Sequence, residues 1–441
     1  MPTVTRRLRT LCTATLASIA CASTGAGQTT PVDLTLAREY FAELRLLTHS
    51  DGGKLWGRSL DGPAMFADRA TRTIVANMPD TGGLLAERNG VWVGMLSPDR
   101  NIANTAIDWA GRRWTMVVWP VSDSRYSRRR LLLHETFHRI QPALGLPSLD
   151  RANSHLATVN GRIWTRLEWR ALTEALLRSG PARTEALRDA LTFRARRRSL
   201  YPDGAEEERL LELNEGLAEY TGLALSGLPR AVHPDRVAVQ LAQYEQQENF
   251  ARSFAYASGP AYALLLDGTG KPWRARLNAA SDLSVEAARA YALGRIDPRT
   301  ADGRSARYTA TRMIAEERAR EAQRVAAEAR LRSRFIDGPT LTLPVAGKLN
   351  YSFDPNAATP LSDVGTVFES SRATDEWGVL DVSSGGVLLR RTGGNVTSIV
   401  VPLAAGAAPP LNGEGWRVEL AAGWTVRNGP RPGDWIAVPP P

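Results

Sequence analysis

His134 and His138 stand four residues apart in the run Leu131-Leu132-Leu133-His134-Glu135-Thr136-Phe137-His138, with Glu135 directly after the first. On an α-helix, residues four apart project from one face, so both imidazoles can reach a single metal ion. Glu135 falls one residue on, near enough to touch a water on that ion without being a ligand. Zinc brings the pKa of such a water toward neutrality, and an adjacent carboxylate can take its proton and pass it to a leaving group. These residue types together form a device for hydrolysis. The chain has only 5 histidines, so the pattern is unlike chance, and Leu131, Leu132, Leu133 and Phe137 should bury the helix that carries it.

A catalytic zinc takes a third protein ligand. Both cysteines, Cys12 and Cys21, fall in a segment that export should remove, which leaves a carboxylate or a histidine. Downstream stands Leu213-Asn214-Glu215-Gly216-Leu217-Ala218-Glu219-Tyr220. The HExxH run with a later Asn-Glu helix resembles the gluzincins, the thermolysin-like and aminopeptidase-like metallopeptidases, and Asn214-Glu215-Gly216-Leu217-Ala218 is most similar to the aminopeptidase version. That resemblance implies zinc held by His134, His138 and Glu215, with Glu135 as general base. It also implies that Glu219, one turn on, hydrogen-bonds the outer nitrogen of a ligand histidine. Residues 139–214 separate the two motifs, longer than is usual in those families, so a helical insertion is expected between them. Arg139 also stands where an uncharged residue is usual. Glu168 and Glu212 compete with Glu215 as the third ligand, and a helical charge pairing with arginine is the plainer role for Glu168.

Peptide hydrolysis also needs a donor to the oxygen that gains charge. Tyr256 and Tyr262, in Phe254-Ala255-Tyr256-Ala257-Ser258-Gly259-Pro260-Ala261-Tyr262, flank an expected helix start and are the candidates, with packing as the alternative role of each. His155 and His233 are further candidates, each more simply a surface or internally satisfied histidine. The run Trp114 to Trp119 could be an edge strand that pairs with an extended peptide, since Pro120 suits an edge.

These residues must be positioned by elements the sequence also signals. Pro31 and Asp33 open a helix to about Leu47, closed by Asp51-Gly52-Gly53. Thr73 to Met78, Val91 to Leu96, Thr105 to Ala110 and Arg113 to Val121 read as strands. A helical period from Ser127 to Gln141 stops at Pro142. Most of 161–225 reads as helix, broken at Gly180-Pro181 and Tyr201-Pro202-Asp203-Gly204, and another helix is expected near Gly259-Pro260. Residues 311–335 read as one long solvated helix. Beyond Gly338-Pro339, short alternating runs and turn residues predict a small β-sandwich or barrel. The predicted class is α+β: a zincin-like metallopeptidase domain over 31–335, mixed sheet plus helices with an insertion, followed by a small all-β domain over 338–441.

Arg6, Arg7 and Arg9 precede an apolar run from Leu11 to Ala22, and residues 1–27 read as a secretory signal peptide. The run is too short to span a membrane, and no later one is long enough. Ser18-Ile19-Ala20-Cys21 loosely resembles a lipoprotein signal, but Ser18 stands where that pattern wants a larger aliphatic residue. The protein is therefore expected in the periplasm or outside the cell, and the gluzincin resemblance implies a peptide or protein substrate. Of the 55 basic residues only Lys54, Lys271 and Lys348 are lysines. The arginines are spread among 46 acids with no basic and aromatic stripe, which argues against nucleic acid as a partner. A non-enzymatic envelope protein with a structural zinc site and a ligand-binding β domain is the rival reading. Glu135 argues against it, because a structural site has no use for an acid there.

Overall fold

The computed structural model describes residues 32–98, 100–149, 153–353, 358–361, 364–393, 395–404 and 411–440. The segment read as a signal peptide, with Cys12 and Cys21, lies outside the described residues. The chain is α+β, and its contacts divide it into two compact units. One comprises the described residues up to Asn153 together with Glu168–Ile296; the other comprises Ser154–Leu167 and the residues from Asp297 onward.

In the first unit, helix α1 (Leu34–Asp51) starts where the Asp33 carboxylate accepts from the Thr35 and Leu36 N–H groups, and it stops at Gly52, whose φ of 57° suits glycine. Six strands follow: β1 (Ala64–Asp68), β2 (Thr73–Ala76), β3 (Ala86–Arg88), β4 (Val91–Met95), β5 (Thr105–Trp109) and β6 (Arg112–Trp119). They form one mixed sheet in the order β3-β4-β2-β1-β6-β5. β1 runs parallel to β6, with Ala64 opposite Thr115 and Asp68 opposite Trp119, and all other pairings are antiparallel. The sequence reading missed β1 because it lacks alternation. Both of its faces are covered: Phe66 packs with Phe41, Leu44, Val117, Leu132 and Leu133, while Met65 and Ala67 pack with Ile74, Trp114 and Met116. The expectation that Trp114 to Trp119 forms an edge is corrected, since β6 lies between β1 and β5, and β3 and β5 are the edges.

Helix α2 (Arg125–Ile140) is capped by Ser124, whose hydroxyl accepts from the Ser127 N–H. The helical stretch after it resolves into α3 (Val159–Leu177), α4 (Gly180–Leu200), α5 (Gly204–Leu211), a π turn (Glu212–Gly216) and α6 (Leu217–Leu225), with breaks where Gly-Pro and Pro-Asp-Gly predicted them. Helices α7 (His233–Glu245), α8 (Ser253–Asp267) and α9 (Leu283–Ala290) complete the unit. Helix α8 was expected to start near Gly259-Pro260 but begins at Ser253, with Pro260 inside it. Proline has no N–H for the carbonyl one turn back, so the Tyr256 carbonyl instead accepts from the Gln240 side-chain amide at 3.1 Å.

The second unit contains a long helix, Ala310–Arg332, ending in a π turn. Its buried Glu317 accepts from Arg162 at 2.7 Å and Arg166 at 2.8 Å. The strands of this unit form two sheets, of seven and five strands among the described residues. Leu341, Leu389 and Ile399 of one sheet share an apolar cluster with Leu380, Trp416 and Val418 of the other, as in a sandwich. Among the described residues no helix is long and apolar enough to cross a membrane.

Candidate metal centre

Three donor atoms converge in the first unit. His134 Nε2 lies 3.2 Å from His138 Nε2 and 3.2 Å from Glu215 Oε2, and His138 Nε2 lies 3.7 Å from the same oxygen. The histidines sit one turn apart on α2, and Glu215 sits on the π turn. A close approach brings the elements together: a Cβ on Gly222 of α6 would lie 2.6 Å from the Arg130 carbonyl of α2. The wide π turn separates its own acids, so that Glu212 faces Arg194 and Ser258 while Glu215 and Glu219 face α2.

The outer nitrogens show what the inner ones must be. His134 Nδ1 faces Glu219 Oε2 at 3.4 Å, and a carboxylate only accepts, so this nitrogen carries the proton. His138 Nδ1 faces Gln141 Oε1 at 2.9 Å. The amide orientation of Gln141 is set because its nitrogen donates to the Pro147 carbonyl at 2.6 Å and to Asn214 Oδ1 at 3.2 Å. With each neutral histidine protonated on Nδ1, both Nε2 lone pairs and a carboxylate oxygen point at one another. Three lone pairs so placed repel unless a cation lies between them. Donors about 2.0 to 2.1 Å from a tetrahedral ion are about 3.3 to 3.4 Å apart, which these distances match. Among the described residues this trio is the one group of three or more His, Cys, Asp or Glu whose atoms could hold a metal ion. A proton competes for the same place. Burial opposes charge on His134, but Glu215 and Glu219 outweigh it and push His134 up to about 10.

Glu135 stands beside this cluster. It is 5% exposed, one oxygen lies 4.0 Å from His134 Nε2, and the other has no hydrogen-bond partner among the described residues. Burial pushes its carboxyl up, opposed by the charges of His134 and His138. Tyr256 stacks on the His134 ring, with centroids 5.6 Å apart, and donates to Glu215 Oε2. Arg252, four residues earlier at the N-cap of α8, donates to Glu215 Oε1 at 3.3 Å.

Of the residues singled out from sequence, the structure brings together His134, Glu135, His138, Glu215, Glu219 and Tyr256. It does not bring Tyr262, Glu168 or Glu212 to them. The buried Tyr262 hydroxyl donates to Glu168 at 2.8 Å, and Glu168 and Glu212 both accept from Arg194. Those three belong to a buried network that Arg197, Arg198, Glu208 and Asp282 extend. His233 faces the Leu228 carbonyl, and His155 lies in the second unit.

Sequence reasoning missed four residues around the site: Arg130, Gln141, Gln240 and Arg252. Arg130 pairs with Glu219, and Gln240 donates to Glu219 Oε1 at 3.3 Å as well as to the Tyr256 carbonyl. Gln141 carried a legible signal, standing three residues after His138 at the C-cap of α2. Arg130 stands one turn before His134 on α2, but its partner Glu219 lies far along the chain, and Gln240 and Arg252 come from distant residues with no local mark. Comparison with protein-family models, with curated proteins and with solved structures found no match to this chain.

Proposed function

We propose that this chain is an exported zinc-dependent peptidase of zincin-like type, with zinc held by His134, His138 and Glu215 and with Glu135 as the general base. One observation carries the reading: three lone pairs converge within ion-binding distance while both outer histidine nitrogens are committed to acceptors, and a buried carboxylate oxygen beside them has no hydrogen-bond partner among the described residues. Bound zinc would polarise a peptide carbonyl and acidify a water. The chain's own groups do the rest. Glu135 takes the water proton on its unpartnered oxygen as the water oxygen bonds to the carbonyl carbon, then delivers that proton to the amine nitrogen as the C–N bond breaks. Tyr256, whose hydroxyl lies on Glu215 beside the His134 ring, is the donor to the oxygen that gains charge. Glu219 fixes the His134 ring and is itself held by Arg130 and Gln240.

A structural zinc site would leave the buried, unpartnered Glu135 without a use. The deciding experiment is Glu135→Gln in the purified mature protein, scored by elemental analysis and by hydrolysis of a mixed peptide library with and without a chelator. The variant should keep zinc and lose hydrolysis by about 10² to 10⁴-fold. Undiminished cleavage would falsify the assigned base, and a wild-type protein without zinc would remove the metal centre.

A further inference from the structure

From Arg252 we infer that the substrate carries a carboxylate within one or two residues of the scissile bond, and that Arg252 binds it. The inference rests on the peptidase reading above. Arg252 Nη2 lies 3.3 Å from Glu215 Oε1, its side chain is 66% exposed, and its charge acts on Glu135 as well. The guanidinium also reaches the Tyr256 hydroxyl. It therefore borders the same space as the general base and the proposed oxyanion donor.

Two arguments separate this role from a structural one. First, the Arg252 guanidinium is 66% exposed, so water screens its pairing with Glu215 and that pairing contributes less to folding than a fully buried one. Second, a guanidinium on a metal-ligating carboxylate withdraws charge from the ligand and repels the cation, so its place there costs metal affinity. An anionic substrate makes that cost useful, because a guanidinium matches a carboxylate with two parallel N–H donors. The distance follows from chain geometry. Arg252 lies 3.3 Å from Glu215, and Glu135 lies 4.0 Å from His134 Nε2, which itself meets Glu215 at 3.2 Å; a peptide advances about 3.3 to 3.6 Å per residue, so the bound group stands next to the cleaved bond or one residue away. A free C-terminus and an Asp or Glu side chain both supply that chemistry.

The test compares wild type with Arg252→Gln, both zinc-loaded, on one peptide library in two forms, with free and with amidated C-termini, and reads every cleaved bond by mass spectrometry. Wild type should favour bonds within two residues of a carboxylate by about 10 to 100-fold, the range of a charge-assisted hydrogen bond. Enrichment lost on amidation identifies the terminal carboxylate, and enrichment around Asp and Glu in both forms identifies the side chains. Arg252→Gln should bring the ratio toward one. Competition with a chromophoric chelator should also show zinc bound about threefold to tenfold more tightly by the variant. Cleavage without such preference, preference that survives in the variant, or weaker zinc binding by the variant overturns the role of Arg252 and leaves the peptidase reading intact. Absence of any cleavage by zinc-loaded wild type overturns both.

Discussion

At the residue scale, the site depends on which atoms are already committed. Neither histidine is remarkable in type; what matters is that each has given its Nδ1 proton to an acceptor, Glu219 in one case and Gln141 in the other. Glu219 fixes the tautomer and orientation of His134, and such partners typically contribute 10 to 100-fold to metal affinity. Glu219→Gln should therefore bind zinc about 10 to 100-fold more weakly, measured by chelator competition, while the fold persists. Unchanged affinity would mean that Glu219 serves packing alone. The histidines and Glu135 were legible in the sequence because helical spacing is a local rule. Glu215 was not distinguishable from Glu168 and Glu212 by spacing, since all three lie in stretches that read as helix far along the chain from His138. The structure separates them by what each meets: Arg194 and Arg197 take Glu168, Arg194 takes Glu212, and the two histidines meet Glu215.

At the scale of elements, α8 must lie close enough to the π turn for Tyr256 and Arg252 to reach Glu215. Two glycines permit it, because a Cβ on Gly259 would lie 2.4 Å from the Gly216 Cα. Gly259→Ala should cost about 1 to 3 kcal/mol by overpacking and lower kcat more than zinc content, since it displaces the Tyr256 helix from histidines held by α2. Denaturant unfolding with parallel zinc analysis would check this; equal stability would show that α8 has room to move. The buried network between α3, α4, α5 and α9 makes a second prediction. Burial raises Asp282, but Arg198 first, then Arg194 and the Ser284 hydroxyl, outweigh it and hold its carboxyl at about 2 against an ordinary 3.8. A folded-state pKa below the unfolded one stabilises fully above about pH 4, and that contribution is lost as pH falls toward 2. It amounts to about 2 kcal/mol at neutral pH. Urea unfolding between pH 3 and pH 6 should show Asp282→Asn less stable than wild type at pH 6, with the difference shrinking toward pH 3. A difference independent of pH would assign the effect to packing instead.

For the whole molecule, a metal joining α2 to the π turn ties together segments far apart in sequence. Zinc at one hundred times its dissociation constant should add about 2.7 kcal/mol, or about 5 to 10 °C in the melting temperature of a domain of this size. Differential scanning calorimetry with zinc and then with excess chelator measures it directly, and identical transitions would argue that nothing binds there. The limits of α1, α2 and α4 and the strand-rich character of the described C-terminal residues were legible, because glycine, proline and capping residues act on their immediate neighbours. Strand β1 was not, because burial on both faces erases alternation, and neither was the start of α8, where a Gln240 side chain replaces the hydrogen bond that Pro260 removes.

The sequence by itself determined that two imidazoles share one helix face with a carboxylate one residue along from the first, and where many of the helices begin and end, all consequences of forces acting over a few residues. Only the tertiary structure decided which glutamate joins the histidines, that β5 rather than β6 forms the sheet edge, and that Arg252 stands at the site. Those outcomes depend on close approach between elements, made possible at Gly216, Gly222 and Gly259, and on which arginine each buried acid meets, neither of which any local spacing encodes.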